Sequence, residues 1–406
     1  MAVGLKHPEN IIPVRGLKLA AGSAGIYQTK RDDMVLISFR PEGSCAAVFT
    51  SNAFSAAPVK VAKQHMHEGN PGYCIINAGN ANAGTGDRGY RDAMSVCTRL
   101  AELTHSCVEG VLPFSTGVIG EYLPVEKINN MIPELLSSLD EDNWIECASA
   151  IMTTDTVPKA VSRSINIDGE TIVVTGMAKG AGMIRPDMAT MLAFLATDAA
   201  VERSVLKELF SNAVAGSFNR ICVDGDTSTN DACVLIATGA VNMKPVSDIN
   251  GEDAVKLQDA ITEVCTHLAQ AIIRDGEGAS KFVTVRVAEG KSAAECLAVA
   301  YAIATSPLVK TAMFASDPNW GRILAAVGRS GISGFDISLV KIYINNLCIV
   351  EGGMRSETYT ESQGRAELEN EDICIDIFLG RGKSEEVIWT CDLSYDYVRI
   401  NAEYRT

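Results

Sequence analysis

Short apolar runs of strand length alternate with segments of helical period along the whole chain. Met34–Phe39 and Ala46–Thr50 are expected as paired strands around the turn Pro41-Glu42-Gly43. Tyr73–Asn77 reads as a further strand that runs into the Gly/Asn-rich loop Asn77–Gly86. Asp87–His105 then takes helical spacing, with Ala93, Val96, Leu100 and Leu103 on one stripe, and Pro124–Leu139 and Asn143–Met152 are expected as helices. Ser162–Ile167 and Thr171–Thr175 flank Asp168-Gly169, a strong hairpin turn signal. The continuous apolar run Met191–Ala196 suits a central strand buried on both faces. Val201–Ala215, Asp253–Arg274 and Ser292–Ala304 are expected helices, and from Ile337 onward the pattern predicts mostly short strands. No low-complexity linker, charge block or internal repeat interrupts the series, so the pattern predicts an α/β protein without a flexible joint.

Composition narrows the class. The chain has 406 residues, 47% hydrophobic and 21% charged, enough for two or three domains' worth of ordinary globular core. Its formal net charge of −15 argues against nucleic acid or an anionic membrane as main partner. An anionic small molecule would need local cations in its site. No stretch of about 18 apolar residues suggests a membrane span, and the opening MAVGLKHPENIIPV lacks the apolar run of a secretory signal. The twelve cysteines are scattered without a C-x-x-C pair, which predicts reduced core residues in a cytoplasmic protein rather than a disulfide framework or zinc site.

Several motifs fail on their own spacing. Gly382-Lys383-Ser384 resembles the end of a phosphate-binding loop, but Ile377 occupies the position where that loop requires glycine. Asp224, Asp226, Ser228 and Asn230 alternate like the start of a calcium loop, yet Thr229 and Leu235 replace its glycine and its terminal glutamate. Lys179-Gly180-Ala181-Gly182 is too short for a dinucleotide fingerprint. The five histidines lie near none of the polar clusters in sequence, which gives little support to a Ser-His-Asp hydrolase.

The segment Met177–Ala199 combines glycines and Pro186, which predict an irregular loop, with Thr190 at the start of the buried run. By itself a threonine there can simply favour a strand. The run Lys179 to Leu192, with Pro186-Asp187-Met188-Ala189-Thr190-Met191-Leu192 at its end, resembles the self-processing site of the ornithine acetyltransferase family, also called the bifunctional glutamate N-acetyltransferases. Four further stretches are similar to that family in order: Ser115–Gly120, Met152–Thr156, Val223–Asp231 and Asp317–Arg322. The end, Ile400-Asn401-Ala402-Glu403-Tyr404-Arg405-Thr406, matches as well. The abundance of cysteines, Cys222 beside Val223 among them, departs from the family pattern without touching these residues.

The resemblance implies an aminopeptidase-like N-terminal-nucleophile α/β fold of layered helices and sheets, cut by the protein itself between Ala189 and Thr190. Residues 1–189 and 190–406 would remain associated, with two copies of each chain in the assembly. The freed α-amine of Thr190, of a type that ordinarily titrates near pH ~8, can act as base for its own hydroxyl. Thr190 would take the acetyl group of N2-acetylornithine and pass it to glutamate, and acetyl-CoA is a second donor in bifunctional members. Thr116 and Gly117 would supply the oxyanion donors, each worth about 3 kcal/mol in the barrier; an ordinary turn is the plain alternative for that stretch. Thr153, Lys179, Thr190, Glu277, Asn401 and Thr406 would contact substrate, Lys179 through a carboxylate. Glu277 could equally be a solvated acidic helix end, and a C-terminal tail is usually frayed. No metal or organic cofactor is implied. Asp224–Asp231 reads as a loop whose Asx and hydroxyl side chains cap nearby backbone, and Asp317 as a cap before Pro318 of a helix through Ala326. Three other readings stay open: an amidohydrolase or aminopeptidase on the same scaffold, a silent binding protein that has lost processing, and a secondary-metabolism paralogue.

Overall fold

The computed structural model describes residues 2–40, 42–185 and 191–403. From its start the chain forms β1 (Leu17–Gly22), β2 (Met34–Phe39), β3 (Ser44–Phe49), α1 (Ala57–Glu68), β4 (Tyr73–Asn80), α2 (Gly86–Thr104) and β5 (Val111–Val118). Then come α3 (Val125–Ser137), α4 (Trp144–Ala150), β6 (Lys159–Ile167), β7 (Glu170–Lys179), β8 (Leu192–Thr197), α5 (Arg203–Gly216), β9 (Ile221–Cys222) and β10 (Ala232–Ala237). The remainder is α6 (Glu252–Arg274), β11 (Phe282–Gly290), α7 (Ala293–Ala304), α8 (Pro307–Phe314), α9 (Trp320–Gly328), β12 (Lys341–Ile344), β13 (Leu347–Glu351), β14 (Met354–Arg355), α10 (Glu361–Leu368), β15 (Asp372–Phe378), β16 (Ser384–Cys391) and α11 (Tyr395–Ala402).

Two sheets face each other between helices. The first has the order β1-β2-β4-β5 and the second β3-β10-β8-β7-β6. Their facing sides share one core, in which Ile37, Ile76 and Phe114 meet Phe194, Val234 and Ile236, and Phe114 meets Phe194 edge to face at 5.1 Å between ring centroids. The outer side of the first sheet packs on α2 and α3. The outer side of the second packs on α5 and α6, whose Leu257, Ile261, Val264, Leu268 and Ile272 follow the helical period. The result is a helix–sheet–sheet–helix sandwich. A third sheet, β14-β13-β12-β15-β11-β16-β9, buries its face under α7, α8 and α9.

The apolar run predicted as a central strand is β8, buried at every position and flanked by β10 and β7. Leu192, Phe194 and Ala196 face one core while Ala193 and Leu195 face the other, the alternation that a doubly covered strand requires. The Asp168-Gly169 hairpin forms between β6 and β7, with positive φ at both residues (53° and 85°) as its turn type demands.

Three expectations need correction. The β2–β3 hairpin does not form: β2 pairs with β1 and β4, whereas β3 pairs antiparallel with β10 in the other sheet. Pro41 lies outside the described residues, and Gly43, just ahead of β3, is pressed so closely on β10 that a Cβ there would lie 2.7 Å from the Ala237 carbonyl oxygen. Asn319, not Asp317, caps α9: its side chain accepts from the Arg322 N–H at 3.2 Å, while Asp317 Oδ2 accepts from Asn319 Nδ2 at 3.1 Å. The tail from Ile337 onward also contains two helices, α10 and α11, each with a Ser or Thr N-cap. No single helix among the described residues is long and apolar enough to cross a membrane.

Candidate active site

A cavity of about 280 Å³ opens where the ends of β5, β7 and β8 meet the loops before β10 and after α6. Thr116, Gly117, Thr153, Lys179, Glu277 and Asn401 all line it, although five separate stretches of chain supply them. Ala189, Thr190 and Thr406 lie outside the described residues. Met191, the next residue after Thr190 in sequence, is on the cavity wall together with Leu192.

Thr116 and Gly117 belong to the end of β5, not to a free turn. β5 runs parallel to β4 with an irregular register at Gly79 and Asn80. Gly117 has φ +134°, and a Cβ there would sit 2.3 Å from the Gly79 carbonyl carbon and 2.6 Å from the Asn80 nitrogen, so only glycine lets the two strands close. The preceding Ser115 donates to Asn77 Oδ1 at 2.6 Å, and Asn230 Nδ2 donates to the Ser115 and Ala81 carbonyls at 2.9 and 2.6 Å. Asn230 thereby ties the loop before β10 to the strand that carries Thr116.

The opposite wall is charged. Lys179 ends β7, and its Nζ lies 4.0 Å from Asp155 Oδ2. Asp155 Oδ1 accepts from the Gly180 N–H at 2.6 Å and from Lys159 Nζ at 2.7 Å, and Oδ2 accepts from the Thr153 N–H at 3.0 Å. Lys159 Nζ also donates to Asp275 Oδ2 at 2.6 Å. The side chains of Asp155 and Lys159 are wholly buried. Burial alone would raise the Asp155 carboxyl, but the Lys159 and Lys179 ammoniums and the Lys159 and Gly180 hydrogen bonds overcome it and hold it well below the usual carboxylate range. Burial likewise opposes the charge on Lys159, and Asp155 and Asp275 more than compensate and raise it above the ordinary lysine value.

Glu277 follows α6 and is buried, so it is not the solvated helix end that a tail of acidic residues suggests. Its N–H donates to the Ala181 carbonyl at 2.8 Å, and its Oε2 accepts from Asn401 Nδ2 at 2.7 Å. The C-terminal helix α11 thus reaches the site rather than fraying from it. A Cβ on Gly182 would lie 2.4–2.5 Å from the Glu277 carboxylate atoms, so the bare backbone at Gly182 makes room for that carboxylate.

The loop Asp224–Asp231 caps backbone as its composition predicts. Asp224 accepts from the Met183, Ile184 and Asp226 N–H groups at 2.6, 3.0 and 3.2 Å, and the Tyr397 hydroxyl of α11 donates to it at 3.2 Å. It therefore fixes the chain just ahead of Arg185. Asp231, which also lines the cavity, was not singled out by the sequence. It is 4% exposed and its Oδ2 has no hydrogen-bond partner among the described residues. Burial pushes its carboxyl well above the ordinary range, against the opposing pull of Ser228 and Lys179, so the neutral acid is favoured. Asp155, Lys159 and Asp275 were missed as well. Asp155 and Asp231 fall inside the family-like stretches Met152–Thr156 and Val223–Asp231 without a role of their own there, and Lys159 stands out as a charge inside the apolar stretch that begins β6.

Among the described residues no group of three His, Cys, Asp or Glu is placed to hold a metal ion. The cysteines are free and mostly buried, and burial pushes Cys45, Cys222 and Cys265 up to about 12, which keeps those thiols protonated and unreactive.

Comparison with known proteins places the chain in a family. The ArgJ family model matches residues 18–406. The chain is 53% identical over 406 residues to the arginine biosynthesis bifunctional protein ArgJ of Pseudomonas fluorescens, and the match covers 100% of both. It is 50% identical to the protein of the same name from Psychrobacter arcticus over 407 residues, again across 100% of both chains. Among solved structures, ArgJ of Bacillus halodurans is 36% identical with a TM-score of 0.48, covering 50% of this chain and 95% of that one. Ornithine acetyltransferase of Mycobacterium tuberculosis, solved in complex with ornithine, is 33% identical with a TM-score of 0.37 over 44% of this chain and 94% of that one. With the family model spanning residues 18–406 and relatives half identical from end to end, the chain belongs to the ArgJ family.

Proposed function

We propose that this protein transfers the acetyl group of N2-acetylornithine to glutamate through an ester on Thr190, yielding ornithine and N-acetylglutamate for arginine biosynthesis. The carrying observation is the convergence of Thr116, Gly117, Thr153, Lys179, Glu277 and Asn401 on one cavity whose wall includes the residue after Thr190. The precursor first cuts itself. The Thr190 hydroxyl adds to the Ala189 carbonyl, the Thr190 nitrogen leaves as an amine, and water hydrolyses the ester that remains. The new α-amine then takes the proton from the Thr190 hydroxyl as it attacks the acetyl carbonyl, so no histidine is needed.

Each half-reaction gathers negative charge on the acetyl oxygen, where the Thr116 hydroxyl and Gly117 N–H would donate. Ornithine departs with a proton from the α-ammonium, and the glutamate amine attacks the ester in turn. Lys179 suits the substrate carboxylate. Glu277, steadied by Asn401, suits the δ-ammonium of ornithine. Thr406 would complete the substrate contacts, and acetyl-CoA would serve as a second donor, making the enzyme bifunctional like its named relatives.

Cutting at Ala189/Thr190 would leave residues 1–189 and 190–406 held by a shared sheet. β8 and β10 come from the later part, and β7 and β3 from the earlier part pair with them across Val174↔Thr197 to Lys179↔Leu192 and Ser44↔Ala237 to Phe49↔Ala232. An assembly of two copies of each chain in the cytoplasm completes the reading.

Intact mass under denaturing conditions, on wild type and Thr190→Ala, with an assay of glutamate-dependent ornithine release, tests it. Two fragments meeting at Ala189/Thr190 in the wild type alone, with release that requires glutamate, are the expected result. Release that proceeds equally without glutamate would make the protein an amidohydrolase, and an uncleaved inactive wild type would remove the nucleophile altogether.

A further inference from the structure

Behind Thr153, Lys179 and Glu277 lies one buried charge cluster that joins all three. Its centre is Asp155, whose two oxygens accept from Gly180 N–H (2.6 Å), Lys159 Nζ (2.7 Å) and Thr153 N–H (3.0 Å) and face Lys179 Nζ at 4.0 Å. Lys159 bridges to Asp275, which takes the Thr156 and Val157 N–H groups at 2.9 and 3.3 Å and the Thr156 hydroxyl, and which stands two residues before Glu277. None of Asp155, Lys159 and Asp275 takes part in the acyl chemistry above.

We propose that Asp155 is the positioning residue of the subsite for the amino acid's carboxylate, holding the Thr153 loop and the Lys179 ammonium in one geometry for both the acetylated donor and the glutamate acceptor. This rests on the acetyl-transfer reading. The physical case is one of occupied hydrogen bonds. Asp155 receives two backbone N–H groups from different elements, so it staples the loop after α4 to the end of β7. Lys159 supplies a counter-charge from the protein side at 2.7 Å, shared with Asp275 at 2.6 Å. Lys179, at 4.0 Å, is steered by Asp155 without being consumed by it, and keeps its donors for a ligand in the cavity. An asparagine could not replace it: one of its atoms would be an NH₂ facing Lys159 and Gly180, or else the Thr153 N–H, setting donor against donor. Thr116 and Gly117 lie on β5, outside this cluster, so the oxyanion donors stay in place.

The test compares wild type with Asp155→Asn in three measurements: steady-state acetyl transfer, turnover of p-nitrophenyl acetate, which has no carboxylate to recognise, and ornithine binding by calorimetry. Asp155→Asn is expected to raise KM for both acetylornithine and glutamate and Kd for ornithine about tenfold each, with kcat and p-nitrophenyl acetate turnover within about twofold. Unchanged KM and Kd would overturn the proposal. A parallel loss of p-nitrophenyl acetate turnover would overturn it too, by making Asp155 a general structural residue. Should Asp155→Asn not fold, Thr156→Val removes only the hydroxyl contact to Asp275, and a KM rise of about threefold, again without loss of kcat, is expected; no rise counts against the proposal. Absence of transfer and of ornithine binding in the wild type would instead overturn the functional reading.

Discussion

Replacing Lys159 with methionine tests the buried charge cluster most directly. The substitution keeps an unbranched apolar stem, one heavy atom shorter, and removes the ammonium that lies 2.7 Å from Asp155 and 2.6 Å from Asp275, in a place where all three side chains are at most 1% exposed. Two carboxylates would be left sharing an apolar pocket, with Lys179 at 4.0 Å as the remaining nearby cation for one of them. Breaking a buried ion pair from one side costs about 3–5 kcal/mol. At about 2.1 cal/mol/K per residue, unfolding 406 residues carries an entropy of about 0.85 kcal/mol/K, so the melting point should fall by about 4–6 °C. The pH dependence discriminates the cause. The folded Asp155 carboxyl sits below its unfolded value, so the stability it contributes is present above about pH 4 and drains away as pH falls through the folded value. Without Lys159 that contribution is lost, and protonation relieves the stranded carboxylates. Differential scanning calorimetry should therefore show the widest gap between wild type and Lys159→Met near pH 7.5, narrowing toward pH 5. A gap that stays constant with pH, or that is under about 1 °C throughout, would refute the reasoning and reduce Lys159 to an ordinary packing residue.

Three other perturbations follow from the cavity. Gly117→Ala puts a Cβ 2.3 Å from the Gly79 carbonyl carbon at a φ of +134°, so β4 and β5 must part; acetyl transfer should fall at least about 10²-fold in kcat, and near-normal kcat would disprove the oxyanion placement. Gly182→Ala displaces only the movable end of Glu277, so KM for acetylornithine should rise about tenfold while the melting point holds; equal KM would show that Glu277 makes no contact with that substrate. Asp231→Asn keeps the shape of a carboxyl that folding holds neutral. Because the folded value is raised, the wild type's stability is complete below about pH 4 and erodes as pH rises, by up to about 1.4 kcal/mol per pH unit. The melting point of Asp231→Asn relative to wild type should thus climb between pH 5 and pH 8, and a flat difference would mean that Asp231 is ionised in the fold.

Much of the fold was legible where a single physical signal decides local structure. The apolar run Met191–Ala196, of strand length, suits a doubly covered strand, and five of its six residues lie in β8. Asp168-Gly169 supplies the two positive φ values that close the β6–β7 hairpin. What the pattern could not supply is partner choice. β2 and β3 look like a hairpin because strands close in sequence usually pair, yet each joins a different sheet, and the two meet only across the core between the sheets. Asn319 and Asp317 are both good cap residues two positions apart, and the start of the helix at Trp320 leaves the cap position to Asn319.

The candidate site was legible through family resemblance and hardly at all through spacing, and the reason is physical. Thr116, Lys179, Glu277 and Asn401 come from different strands, loops and helices, so no short window of sequence contains two of them. Each has a plain alternative in its own neighbourhood: a turn threonine, a strand-end lysine, an acidic helix end, a frayed tail. The layer behind them is hidden for a further reason. Asp155 and Asp275 are helix-flanking acids in sequence, and Lys159 is one charge at the start of a strand, where a solvated edge is the usual outcome. Their burial becomes tolerable only when the three are brought together, since any one of them alone in that place would be too costly to fold. On the proposed reading, a chain with a net charge of −15 would bind amino-acid carboxylates and must place its cations where local acids do not cancel them. Lys159 meets part of that requirement from inside the protein by bridging Asp155 and Asp275, and Lys179, 4.0 Å from Asp155, lines the cavity.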